Sequence, residues 1–114
     1  MEREKMKNKK KPRLLFFHLY GYAGESVLQG TSSFGRKTGA EETDIAVPSA
    51  VVSRRHGEFT EIQGQWFYRD LGSSNGTWIN GKRCEEPHLL KEGDILAVTP
   101  RRGENPKPEF KMVF

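Results

Sequence analysis

Apolar and polar residues follow one another in short runs cut by turn residues, and no stretch keeps apolar positions at i, i+3, i+4 and i+7 over three turns. Arg13–Tyr20, rich in apolar and aromatic residues, reads as a first strand. Val27–Gly30 and Ser33–Arg36 read as a second strand with a weak middle. Lys37–Thr43 reads as a polar loop, and Asp44–Val47 as a short strand ended by Pro48. Gly57–Gln63 and Gln65–Leu71 form an expected hairpin that turns at Gly64. Thr77–Ile79, Asp94–Thr99 and Phe110–Phe114 are further strands, and Pro100–Pro108 is a loop. Asn75-Gly76 and Asn80-Gly81 are pairs that tolerate the positive φ angles of tight hairpins. Many short strands with closely spaced turn signals predict an all-β sandwich or barrel. Trp66, Phe67, Trp78 and Ile79 are expected in its core.

A length of 114 residues fits one domain, and 34% hydrophobic residues allow one modest core. The net charge of +4 raises the question of nucleic acid, so its location matters. Residues 1–13 hold seven of the 19 Lys/Arg and two of the 15 Asp/Glu, which leaves the remaining chain close to neutral. The basic character therefore belongs to an arm, expected to be disordered over residues 1–12, ahead of a domain at 13–114. Such an arm implies at most weak nonspecific contact with nucleic acid, and no specific nucleic-acid partner is expected. Leu14–Phe17 is too short for the apolar core of a signal peptide, and no run approaches the ~20 residues that span a bilayer. Cys84 has no partner for an internal disulfide, so a reducing, cytoplasmic setting is the expectation. His18, His56 and His88 show no ligand spacing with Cys84, and neither metal nor cofactor is expected.

Groups suited to holding an anion concentrate in Phe34-Gly35-Arg36, Ser53-Arg54-Arg55-His56, Gly72–Thr77 and Asn80-Gly81. Arginine presents a planar fork that binds phosphate oxygens bidentately. Ser and Asn in turns add hydroxyl, amide and backbone N–H donors. All four segments fall in loops or at strand ends, where a rigid sandwich can present them together.

The ordered set FGR, SRRH, DLGSSNGTWING and EGDIL resembles the forkhead-associated domain, a phosphothreonine-recognition module, over roughly residues 13–114. The resemblance implies a sandwich of about eleven mostly antiparallel strands, with loops at one end binding a phosphothreonine-containing protein or peptide. It implies that Arg36 contacts the phosphate, that Ser53 donates its hydroxyl to a phosphate oxygen, and that Arg54 adds charge beside it. Ser74 stands where the family often carries Ser or Thr on the phosphate. Asn75 would meet the ligand main chain, with Gly76 and Thr77 shaping that loop. Gly35, His56 and Asn80 would support the geometry. Two departures stand out: Pro48–Val52 is more apolar than usual, with a possible effect on flanking preference, and Gly57 follows the histidine where Ala is common.

Enzyme motifs that occur here lack their required context. Gly72–Gly76 spells G-x-S-x-G, but β-forming Thr77–Ile79 follows where a helix is needed. Gly76–Lys82 spells most of a phosphate-binding loop, but Arg83 stands where Ser or Thr is required. Ser53, His56 and Asp70 carry no order that implies a triad, and no catalytic residue is expected. The leading expectation is a monomeric, phosphothreonine-dependent recognition module in Ser/Thr-kinase signalling. The alternative is a scaffold of the same fold that binds its partner independently of phosphorylation. Arg101 and Arg102 suggest a preference for acidic flanking residues.

Overall fold

Strands follow wherever aromatic and β-branched residues alternate with polar ones. A computed structural model describes residues 12–18, 21–39, 43–100 and 108–114 of the chain. Residues 1–11 of the expected arm, Tyr20 at the end of the first expected strand, positions 40–42 of the polar loop, and Arg101 and Arg102 lie outside the described residues. Eleven strands occur among the described residues. They are β1 (Arg13–His18), β2 (Gly21–Val27), β3 (Ser32–Arg36), β4 (Ile45–Val47), β5 (Gly57–Ile62), β6 (Gln65–Asp70), β7 (Trp78–Ile79), β8 (Lys82–Arg83), β9 (His88–Leu89), β10 (Ile95–Val98) and β11 (Phe110–Val113).

They form a β-sandwich, with one sheet in the order β2-β1-β11-β10-β7-β8 and the other in the order β4-β3-β5-β6-β9. Pairing is antiparallel apart from the parallel β3–β4 ladder, which aligns Arg36 with Val47. The inner faces meet on Leu14, Phe34, Phe59, Tyr68, Leu96, Phe110 and Met112, all fully buried. Phe34 of β3 stacks on Phe110 of β11 at 5.8 Å between centroids and so ties the two layers together, while Phe59 tilts against its cross-strand partner Tyr68 at 4.9 Å within one sheet.

The eleven-stranded sandwich bears out the expected fold, with local differences. The second strand is Gly21–Val27, and the chain from Leu28 to Thr31 is a turn rather than the start of a strand. Its Gly, Ala, Ser and Glu residues carry little β propensity, yet a long ladder to β1 holds them, with a bulge at Ala23 where Phe16 faces Gly24 and Phe17 faces Tyr22. The charged β8 and the His-Leu pair of β9 have two residues each and show no run that marks a strand. Trp66 and Ile79 are buried as expected, whereas Phe67 and Trp78 are only half-buried. Pleat parity explains this, since neighbours along a strand face opposite sides.

Candidate functional site

At one end of the sandwich three loops converge: the chain leaving β3 after Arg36, the β4–β5 connection through Ser53–His56, and the β6–β7 connection 71–77. Ser53 joins all three. Its carbonyl accepts the Arg36 N–H at 2.9 Å, its Oγ accepts the Ser74 N–H at 3.0 Å, and its own N–H donates to Nδ1 of His56 at 3.0 Å. With a lone pair of Oγ committed to Ser74, the Ser53 hydroxyl keeps its proton for an outside acceptor.

The close approach depends on Gly35. A Cβ there would lie 1.8 Å from the Arg54 carbonyl oxygen, so no larger residue fits while the β4–β5 loop rests on β3. This contact sets Arg36 and Arg54 on neighbouring backbone. Arg36 is half-buried, and Arg54 and Arg55 are exposed. None of the three forms a salt bridge with another described residue. Arg54 and Arg55 line a cleft of about 420 Å³ together with Ser33, Thr38, Thr43 and Leu71, so Arg55 joins a concave surface the sequence did not assign to it.

His56 is fully buried and locks the second and third loops together. Because Nδ1 accepts from Ser53, the proton sits on Nε2, which donates to the Gly76 carbonyl at 3.0 Å. Burial lowers the imidazole's pKa from its ordinary value, outweighing the opposite pull of the Gly76 carbonyl and the Asp70 carboxylate. The ring is therefore a neutral structural link, and protonating Nδ1 would oppose one N–H with another.

Asp70 organises the third loop, a role the sequence reading did not give it. Its Oδ1 accepts the N–H groups of Gly72 and Ser73 at 2.9 and 2.8 Å. Its Oδ2 accepts the hydroxyls of Ser73 and Thr77 at 2.6 and 2.7 Å. Burial alone would raise this carboxyl, but the bonds from Ser73 and Thr77, with His56 nearby, hold it below its ordinary range. The signal was legible: Asp followed two and three residues on by Gly and Ser is an Asx turn. Thr77 is fully buried and also accepts the Tyr68 hydroxyl at 2.7 Å, while burial pushes the Tyr68 phenol well up. That tyrosine explains the glycine after the histidine, because a Cβ on Gly57 would lie 2.1 Å from the Tyr68 hydroxyl.

Asn75 donates from Nδ2 to the Val51 carbonyl at 2.7 Å, tying its loop to the segment before Ser53. Of the apolar residues ahead of SRRH, Val51 and Val52 are buried in the core, whereas Pro48 and Ala50 are exposed. Gly76 adopts φ 77°, a conformation suited to glycine. Asn80 belongs to the β7–β8 turn. Its amide donates to Asp94 at 2.9 Å and accepts the Ile95 N–H at 3.0 Å, so it holds loop geometry there. Arg36, Ser53, Arg54, Ser74 and Asn75 are thus gathered by Gly35, His56, Gly76 and Thr77, with Asn80 one short strand further on. Among the described residues, no group of His, Cys, Asp and Glu could hold a metal ion, and no helix is long and apolar enough to cross a membrane.

A family model for the FHA domain matches residues 32–98. The oxoglutarate dehydrogenase inhibitor of Corynebacterium efficiens is 36% identical over 86 residues, covering 75% of this chain and 51% of that protein. The E3 ubiquitin-protein ligase DMA1 of Saccharomyces cerevisiae is 39% identical over 61 residues, covering 47% of this chain and 15% of that protein. The chain thus spans about half the length of the first relative and a small part of the second. Among solved structures, the FhaA FHA domain complexed with the intracellular domain of Rv3910 aligns with a TM-score of 0.69 at 22% identity, covering 89% of this chain and 96% of that one. A structure concerned with phosphothreonine-dependent FHA domain interactions aligns with a TM-score of 0.68 at 21% identity, covering 90% and 94%. Both likenesses show the fold.

Proposed function

Because this chain belongs to the FHA domain family, whose characteristic property is phosphothreonine binding in signalling, we propose that it recognises a phosphothreonine-containing segment of a partner protein and that recognition depends on the phosphate. The observation that carries this reading is the bonding of Ser53. Its backbone and Oγ draw Arg36, His56 and Ser74 to one point while its hydroxyl proton stays available. A phosphate with a charge of about −1.5 to −2 and three acceptor oxygens matches that set of donors.

Arg36 and Arg54 supply charge, Ser53 and Ser74 supply hydroxyls, and Asn75 steadies the loop against which the ligand main chain lies. The site acts by binding alone. Its affinity is moderate and weakens with salt, because an open, charge-assisted site is partly screened. An inhibitor and a ubiquitin ligase among the relatives fit a recognition role, and this chain's own partner is a phosphoprotein in Ser/Thr-kinase signalling.

The test is titration of a phosphothreonine peptide into the wild-type and Arg36→Ala proteins. Removing a charged donor from a bound phosphate should weaken binding by about 2–4 kcal/mol without lowering the melting temperature appreciably. Near-normal binding by the folded variant would remove Arg36 from the site. Binding that survives phosphatase treatment of the partner would favour the phosphate-independent scaffold.

A further inference from the structure

A cation that the phosphate-site residues do not include lies against the same loop from the opposite sheet. A Cβ built on Gly76 would meet the Arg83 guanidinium at 3.3 Å from Cζ, 3.3 Å from Nη2 and 3.5 Å from Nη1. Three nearly equal distances mean that the flat face of the guanidinium covers Gly76, which is why that glycine is buried although Arg83 itself is exposed. Two features fix the arrangement. Trp78 pairs with Arg83 across the β7–β8 hairpin, and the Cys84 N–H donates to the Thr77 carbonyl at 2.8 Å, extending the pairing back toward the loop.

The Arg83 fork forms no salt bridge with another described residue. Face-on contact with Gly76 leaves the edge of the fork, where its N–H donors point, directed along the surface. Ser74 is two residues away, at most ~7 Å along the backbone. A ligand strand rises ~3.3 Å per residue, so a side chain a few positions from the phosphothreonine comes within reach of Arg83. Lys82 and Arg83 also line a groove of about 590 Å³ together with Glu85, Glu86 and His88.

Resting on the phosphothreonine reading, we infer that Arg83 is a specificity-determining residue that selects an acidic side chain in the ligand beside the phosphothreonine. The contact is an exposed charge pair, and a glutamate or aspartate at the matching position raises affinity about three- to fivefold at low salt.

The experiment measures phosphothreonine peptides in which Ala, Asp and Lys are walked through each flanking position, against the wild-type, Arg83→Ala and Arg83→Glu proteins. The expected result is an Asp preference at one position in the wild type, its loss in Arg83→Ala, and a switch to Lys at that same position in Arg83→Glu. The quantity read is the Asp-to-Ala affinity ratio at that position, in which any common loss from the changed charge near the phosphate cancels. If the wild type binds that peptide but the Asp preference survives both substitutions, or never exists, the inference is overturned while the phosphothreonine reading stands. A uniform loss across all peptides in Arg83→Ala would also overturn it, by making Arg83 only a cover for Gly76. Absence of binding to every phosphopeptide by the folded wild type would overturn both.

Discussion

Gly35 and His56 decide whether the site exists, although neither is assigned a contact with ligand. Gly35→Ala would drive a methyl group to within 1.8 Å of the Arg54 carbonyl, and backbone cannot swing aside as a side chain can. We expect a loss of about 1–3 kcal/mol in stability by urea denaturation, together with lost phosphopeptide binding as the β4–β5 loop lifts from β3. Unchanged stability would mean that this contact is not a tight one. His56 makes the fold pH-dependent with a definite sign. Its pKa in the folded protein lies below the ordinary 6.5, so the unfolded chain takes up a proton that the folded chain resists. Stability carried by His56 is therefore complete above pH 6.5 and falls as the pH drops from there through the folded-state value. Asp70, also lowered, adds a second loss as the pH falls below 3.8. Denaturation midpoints at pH 7.5 and 5.0 should show this slope in the wild type, and His56→Gln should flatten it while lowering stability at both. A wild-type slope equal to that of the variant would contradict the role given to His56.

The elements differ in how readily the sequence disclosed them. Gly57–Ile62 and Gln65–Asp70 were legible because aromatic residues flank a turn, and the structure places Gln63 and Gly64 at φ 51° and 81°, the signs a two-residue hairpin needs. Asn80-Gly81, at φ 50° and 86°, is a turn of the same kind, joining β7 to β8. Asn75-Gly76 looks identical as text, but only Gly76 has a positive φ, and the pair lies in a loop held from Asp70 and His56. The Asp70 turn ahead of Asn75-Gly76 is a local sign of the difference, but the other anchor is a buried histidine twenty residues away, which no local pattern discloses. β2 and the two-residue strands β8 and β9 were not legible for a similar reason, because their partners hold them rather than their own propensity. The 71–77 loop should thus depend on Asp70 as a unit. Asp70→Ala leaves four donors without their acceptor and should cost about 2–4 kcal/mol, with faster amide exchange at Gly72 and Ser73. Exchange rates unchanged at those amides would show that the loop is held by other means.

At the scale of the molecule, the all-β class followed from short runs and turn residues, and the recognition family from four motifs in order. What the sequence could not show is how the sandwich uses them. Arg36, Ser53 and Ser74 stand far apart in the chain and meet because β3 and the β4–β5 loop press together at Gly35 while His56 and Ser53 bind the third loop. Phe67 and Trp78 turned out half-buried because a sheet has two faces and aromatic character alone does not say which one a residue occupies. The rigid sandwich carries the loops, and the loops carry donors that suit one kind of ligand. The measurement that tests this most directly is titration of the wild-type protein into three peptides identical except for phosphothreonine, phosphoserine or unmodified threonine at one position. The expected result is binding to the phosphothreonine peptide, much weaker binding to phosphoserine and none to threonine. Equal binding to all three, or to none while the protein is folded, would contradict it.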